Sequence, residues 1–143
     1  MTQPRLASFP REYPAVVIKV TDGDTADVFL DRGGDDWWKT QLRFLGCACR
    51  ESGEVGGPEA AQYTTGLVAA ITPTRLVDMF DRRWQGLVAA RKWDKYGGRV
   101  DGILYLPGGQ DVSTLLIRSG YAAPWDGRGA QPKPPWPIPT PGG

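Results

Sequence analysis

The first third of the chain is three runs of β-forming residues separated by turn residues. Strand-like runs cover residues 13–20, 24–30 and 37–46, the last of them "WWKTQLRFLG", and all are rich in β-branched and aromatic side chains. Between the first two stands "DGDT", where Asp22-Gly23 is a strong hairpin signal, because glycine accepts the positive φ of a tight turn. A chain that begins as three short strands in succession is set toward an antiparallel sheet or barrel. Asp24 leaves the turn as a carboxylate able to point into a cleft, where hard cations bind oxygen.

The rest of the chain reads as cover and closure for such a sheet. In "GGPEAAQYTTGLVAAITP" Pro58 suits the first helical position and Glu59 the positive end of the helix dipole. Ala60, Tyr63, Leu67 and Ile71 recur at helical spacing, and Pro73 is expected to close the helix. "TRLVDMFD" reads as a strand, the stretch from Arg82 to Gly98 as a long polar excursion, and "VDGILYL" as a further strand. A short second helix follows in "DVSTLLIRSG", with Asp111 as N-cap, Val112, Leu115 and Leu116 on one face, and Gly120 as its stop. Three strands, a helix, two strands and a helix describe a β-rich α+β chain compatible with a five-stranded barrel of the oligonucleotide-binding (OB) plan. Residues 124–143 hold 7 of the 13 prolines and are expected to form neither helix nor sheet. The expected organisation is an N-terminal arm (1–11), one domain (12–123) and a Pro-rich tail (124–143).

Composition excludes whole classes of chemistry. The chain of 143 residues has no histidine, so His-based acid/base work and Ser-His or Cys-His nucleophiles are out of reach. Its two cysteines, Cys47 and Cys49, cannot complete a zinc site and are too close in sequence to bridge readily, so free thiols in a reducing compartment are expected. No apolar run is long enough to span a membrane, and the first 14 residues lack a hydrophobic signal core; a cytoplasmic protein is expected. Net charge is only +1, but it is uneven: residues 22–36 carry six Asp against one Arg, and residues 81–99 carry six Lys and Arg against two Asp. Two solvated loops would account for this. Brought together by the fold, the two stretches would set a cation site against an anion site, a layout suited to phosphate chemistry.

Four segments in order, "DGDT" (22–25), "RFLGCACRE" (43–51) with "GGPEA" (56–60), "DKYGGR" (94–99) and "LLIRSGYA" (115–122), resemble the staphylococcal nuclease (thermonuclease) family over roughly residues 12–123. The "CRE" form and the Pro-rich end look like the small nuclease-like proteins carried by phages of actinobacteria, which would place the protein in a host cytoplasm. The resemblance implies a five-stranded barrel with packed helices and calcium-dependent endonuclease activity on DNA and RNA, with little sequence preference. By position it assigns Asp24 to calcium, Arg43 and Arg99 to the phosphate clamp, and Glu51 to orienting or deprotonating the attacking water. It assigns Lys95 and Tyr96 to a substrate phosphate, and the backbone carbonyl of Cys49 to calcium.

One departure matters. The family pattern resembles "GIDAPE", whose aspartate is a second calcium ligand; here "GCACRE" puts Ala48 at that place, and Arg50 replaces a proline, which is expected to loosen the turn carrying Glu51. Losing one charge-assisted contact costs about 1.5–3 kcal/mol, roughly ten- to a hundredfold in metal affinity. Three outcomes remain open: a site that works at high metal, one that recruits another carboxylate such as Asp22, or one that is dead. The residues themselves suit phosphodiester cleavage without histidine, since two arginines can neutralise the transition-state charge while a carboxylate handles water. Taken singly, Arg43, Glu51 and Arg99 also read as ordinary surface residues, and the tryptophans, which could stack bases, are in most small β proteins core or clamp residues. The competing functional classes are a nucleic-acid-binding module on the same barrel that does not cut, and an interaction protein whose Pro-rich tail docks in a partner's aromatic groove. A monomer is expected. Trp125, and with it Trp136, is expected to pack on the protein's own body.

Overall fold

Strand β1 (Arg11–Asp22) and strand β2 (Thr25–Asp31) form the expected hairpin, with Asp22 opposite Thr25 across a two-residue turn. The computed structural model describes residues 11–51, 53–94 and 98–132. Strand β3 (Trp37–Phe44) continues the antiparallel meander, and β4 (Gly46–Cys49) turns away from it. Helix α1 (Gly57–Leu67) comes next, then three short 3-10 segments, β5 (Gly86–Trp93), β6 (Arg99–Tyr105), α2 (Val112–Arg118) and β7 (Ala122–Trp125).

The barrel closes in the order β1-β2-β3-β6-β5 and back to β1. Four of its five pairings are antiparallel, and β3 with β6 is parallel. It is therefore a closed, mixed five-stranded barrel with two helices, compatible with an OB-like plan. Strand β1 is long enough to pair with β5 through residues 11–15 and with β2 through residues 15–22, and two register shifts in it supply the bend that closure requires. Alternation puts Val28, Leu30, Leu42, Phe44, Val88, Val100 and Leu104 inside, all essentially buried.

Helix α2 is capped as expected: Asp111 Oδ2 accepts from the Thr114 amide at 3.0 Å, Val112 and Leu116 are buried, and Gly120 has φ +85° just past the helix. Helix α1 buries Ala60 and Thr64 and ends at Leu67, before Pro73; a separate 3-10 turn (Ala69–Ile71) brings Ile71 into the core.

Three expectations are corrected. "TRLVDMFD" is not a strand; Leu76–Phe80 is 3-10 helix, with Leu76, Val77 and Phe80 exposed. The strand belongs instead to the stretch read as a polar excursion, as β5. The β-type composition of 74–81 lost because β1 and β6 take their partner from 86–93, where Val88 and Ala90 alternate inward. The segment from residue 124 onward also contains sheet: Pro124 and Trp125 complete β7, which pairs antiparallel with β4, Gly46 opposite Trp125. Proline is tolerated there because this small sheet has only two strands, so each is an edge. Among the described residues no helix is long and apolar enough to cross a membrane.

Candidate phosphate site

The turn between β1 and β2 is held from three sides. The Gly23 carbonyl accepts from the Thr64 hydroxyl of α1 at 2.6 Å, and the Asp24 carbonyl accepts from the Phe44 amide at 2.8 Å. Gly23 is not in the positive-φ conformation that the "DG" signal implied. Its reason is contact: a Cβ there would sit 2.9 Å from Cys49 Sγ and 3.0 Å from Ala60 Cβ. Strand β4 and helix α1 thus press directly on the turn, and Asp24 is aimed by that packing.

Asp24 is 5 % exposed and fully engaged. Oδ1 accepts from the Thr25 hydroxyl at 3.0 Å, and Oδ2 accepts from the Cys49 amide at 3.1 Å. Arg43 Nη2 stands 3.5 Å from the same Oδ2. That is a charge–charge contact rather than a well-formed hydrogen bond, and among the described residues this buried Nη2 finds no hydrogen-bond acceptor. On another side the guanidinium carbon lies 5.4 Å from the centroid of the Trp125 ring. The indole is itself fixed, since Trp125 Nε1 donates to the Arg128 carbonyl at 3.0 Å. Trp125 does pack on the protein's own body, as expected; Trp136 lies outside the described residues.

Strand register places the second arginine. In the parallel β3/β6 pair Gln41 faces Arg99 and Arg43 faces Asp101. The neighbours of these residues, Leu42 and Val100, point into the core, so all four registered residues lie on the outer face. Arg43 and Arg99 are diagonal neighbours there, about 8 Å apart at the backbone from a 3.3 Å rise and a 4.8 Å strand spacing. Arg99 Nε donates to Asp101 Oδ1 at 3.0 Å. With Lys92, Asp94 and Gly98, the residues Gln41, Arg99 and Asp101 line an open cleft of about 530 Å³. Asp101, Gln41 and Lys92 escaped the sequence reading; the i, i+2 alternation of "RVD" was the signal that Asp101 shares a face with Arg99.

Among known proteins, no family model matches this chain and no curated protein is a significant match. Any functional reading therefore rests on the residues themselves.

Glu51 follows β4 in an exposed loop, where its amide donates to Glu54 Oε1 at 2.8 Å. Arg50, where the resembled motif has proline, reaches along this loop. Its Nη1 donates to the Val55 carbonyl at 3.0 Å, and its side chain packs where a Cβ on Gly56 would stand. Lys95 and Tyr96 lie outside the described residues. Asp22 ends β1, opposite Thr25.

Calcium takes roughly six to eight oxygen ligands. Asp24 has both oxygens committed to protein donors, with a guanidinium already beside one of them. Ala48 is fully buried and contributes no side-chain oxygen. Among the described residues no group of three or more Cys, Asp or Glu gathers in a way that could hold a metal. Taken by themselves, these side chains fall short of the roughly six to eight oxygens that calcium takes.

Cys47 and Cys49 are buried free thiols, as expected. A hydrogen bond with Cys47 and burial push the Cys49 thiol far above the ordinary thiol range, and the Asp24 carboxylate adds to the effect. Neither cysteine has the electropositive, open setting of a reactive nucleophile.

Proposed function

We propose that this protein acts on the phosphodiester backbone of DNA and RNA as a weak endonuclease, on the barrel plan its motifs resemble. The observation that carries the reading is that Arg43 and Arg99 share the outer face as diagonal neighbours across β3 and β6. A phosphate reaching this face meets Arg99 in the open cleft and, beside it, the one-fifth of the Arg43 side chain that stays exposed. Charge on the phosphoryl oxygens rises toward the transition state, and fixed guanidinium donors are worth more there than in the ground state. Glu51, exposed in the loop after β4, is the carboxylate that the resemblance assigns to orienting or deprotonating water.

A second reading, binding without cleavage, is favoured by a specific observation: Asp24 is the counter-ion of Arg43, and Ala48, fully buried, brings no carboxylate of its own. One experiment separates the two. Purified protein is incubated with single-stranded and plasmid DNA in calcium, in magnesium or manganese, and in chelator, alongside Glu51→Gln. Cleavage that Glu51→Gln abolishes supports the nuclease. Binding without cleavage under every condition establishes the binding module, and absence of both removes the phosphate reading.

A further inference from the structure

We propose that the barrel end beside the Arg99 cleft is a nucleobase site, so that the form of nucleic acid taken is single-stranded. This rests on the reading of Arg43 and Arg99 as backbone-phosphate ligands and extends it to the base.

Three aromatic side chains meet at this end. Trp38 of β3 and Trp93 of β5 stack with centroids 4.7 Å apart and planes at 26°, and Tyr13 of β1 meets Trp93 edge-on at 6.0 Å. All three pack on the core from one side yet stay only half-buried. Their outer surfaces help line an open cavity of about 470 Å³, within the range of small-molecule sites. Its charged rim is Arg11, Arg32, Asp36 and Asp94.

The rim shows what the rings accept. The Arg32 guanidinium lies 5.4 Å from the centroid of the Trp38 ring, so a planar group already rests on that indole. Arg32 is tied to Asp36 by a 3.5 Å contact in which both side chains are about half exposed, a pair that is cheap to displace. A nucleobase has the same planarity, stacks on indole without regard to sequence, and carries exocyclic amino groups that carboxylates such as Asp36 and Asp94 can accept.

Continuity selects this occupant. Asp94 lines both the aromatic cavity and the cleft that holds Lys92 and Arg99. Lys92 and Trp93 are consecutive on β5 and face Asp101 and Val100, so the cation opens to the outer cleft while its neighbour turns to the barrel end. Gln41, the register partner of Arg99, is three positions from Trp38, about 10 Å along the strand and on its other face, so the path between them runs over the barrel rim. A strand whose phosphate sits at Arg99 thus brings its adjoining base to the rings by turning over the rim at Asp94, which lines both cavities. Duplex bases are stacked and paired, whereas those of a single strand are free to turn in.

The test compares a labelled oligocytidylate, the same strand with abasic positions, and a duplex, by fluorescence anisotropy in chelator. Removing bases is expected to weaken binding about tenfold or more. In Trp93→Leu, which keeps apolar cover, intact and abasic strands should bind within about twofold of each other. Should that variant fail to fold, the unaltered protein decides: the indole N–H resonances of Trp38 and Trp93 should shift on adding cytidine 5′-monophosphate. Equal binding of intact and abasic strands with unmoved indole resonances would overturn the base site and leave the phosphate reading standing. No binding of either strand would overturn both.

Discussion

The guanidinium carbon of Arg43 lies 5.4 Å from the centroid of the Trp125 ring, a contact joining a barrel strand to the last strand of the described chain. Such a contact is worth about 0.5–2 kcal/mol when partly desolvated, and the indole also covers one side of a guanidinium whose side chain is only 20 % exposed. Trp125→Ala should therefore lower the melting temperature by several degrees, whereas Trp125→Phe should recover most of the loss. Truncation after Ala123 should cost at least as much, because it also removes the end of the β4–β7 ladder. Thermal unfolding followed by circular dichroism reads all three; unchanged melting of the truncated chain would show that Trp125 contributes no cover.

Asp24→Asn tests the counter-ion role. The amide can still accept from Cys49 or Thr25 but leaves the Arg43 charge without its carboxylate. A loss of about 2–3 kcal/mol is expected in urea unfolding, at the low end for a broken buried pair because Arg43 keeps some solvent. Oligonucleotide binding in chelator should instead tighten, since the guanidinium is released and a like charge to phosphate is removed. Weaker binding at unchanged stability would mean that Asp24 holds Arg43 in its productive place.

Ala48→Asp places a carboxylate where the motif that "GCACRE" resembles carries one. Ala48 is fully buried, with Ala123 opposite it, so an unpaired carboxylate there should destabilise by about 2–4 kcal/mol. If residue 48 borders a cation seat, millimolar calcium should raise the melting temperature of this variant and leave that of the unaltered chain unmoved. Equal response of both chains to calcium would place the seat elsewhere.

The Cys49 thiol supplies a pH signature. Its ordinary pKa is 9.0, and in the folded chain it is raised by the Cys47 hydrogen bond and by burial. A raised acid binds its proton more tightly when folded, so this stabilisation is complete below pH 9 and declines as pH rises above it, where only the unfolded thiol ionises. Urea midpoints should fall above pH 9, and the decline should be smaller in Cys49→Ala. In the native protein a disulfide reagent at pH 8 should label Cys49 only at the rate of unfolding.

The elements that could be read from the sequence are those whose causes are local. The β1–β2 hairpin, the Asp111 cap and the Gly120 stop each depend on residues within a few positions of one another, so composition and spacing suffice. The placement of β5 does not. Residues 74–81 have the better strand composition, yet barrel closure gives the pairing edge of β1 to 86–93, and the loser winds into 3-10 helix with its apolar side chains exposed. Gly23 shows the same division: its place in the turn was visible, but its cause, the approach of Cys49 and Ala60, belongs to segments far along the chain. For the candidate site, the sequence named Asp24, Arg43 and Arg99 singly. Only the parallel β3/β6 register sets the two arginines on one outer face, and only packing turns Arg43 between Asp24 and Trp125. Turns and caps form from neighbouring residues, whereas strand partners and buried charges are chosen by closing one barrel around one core.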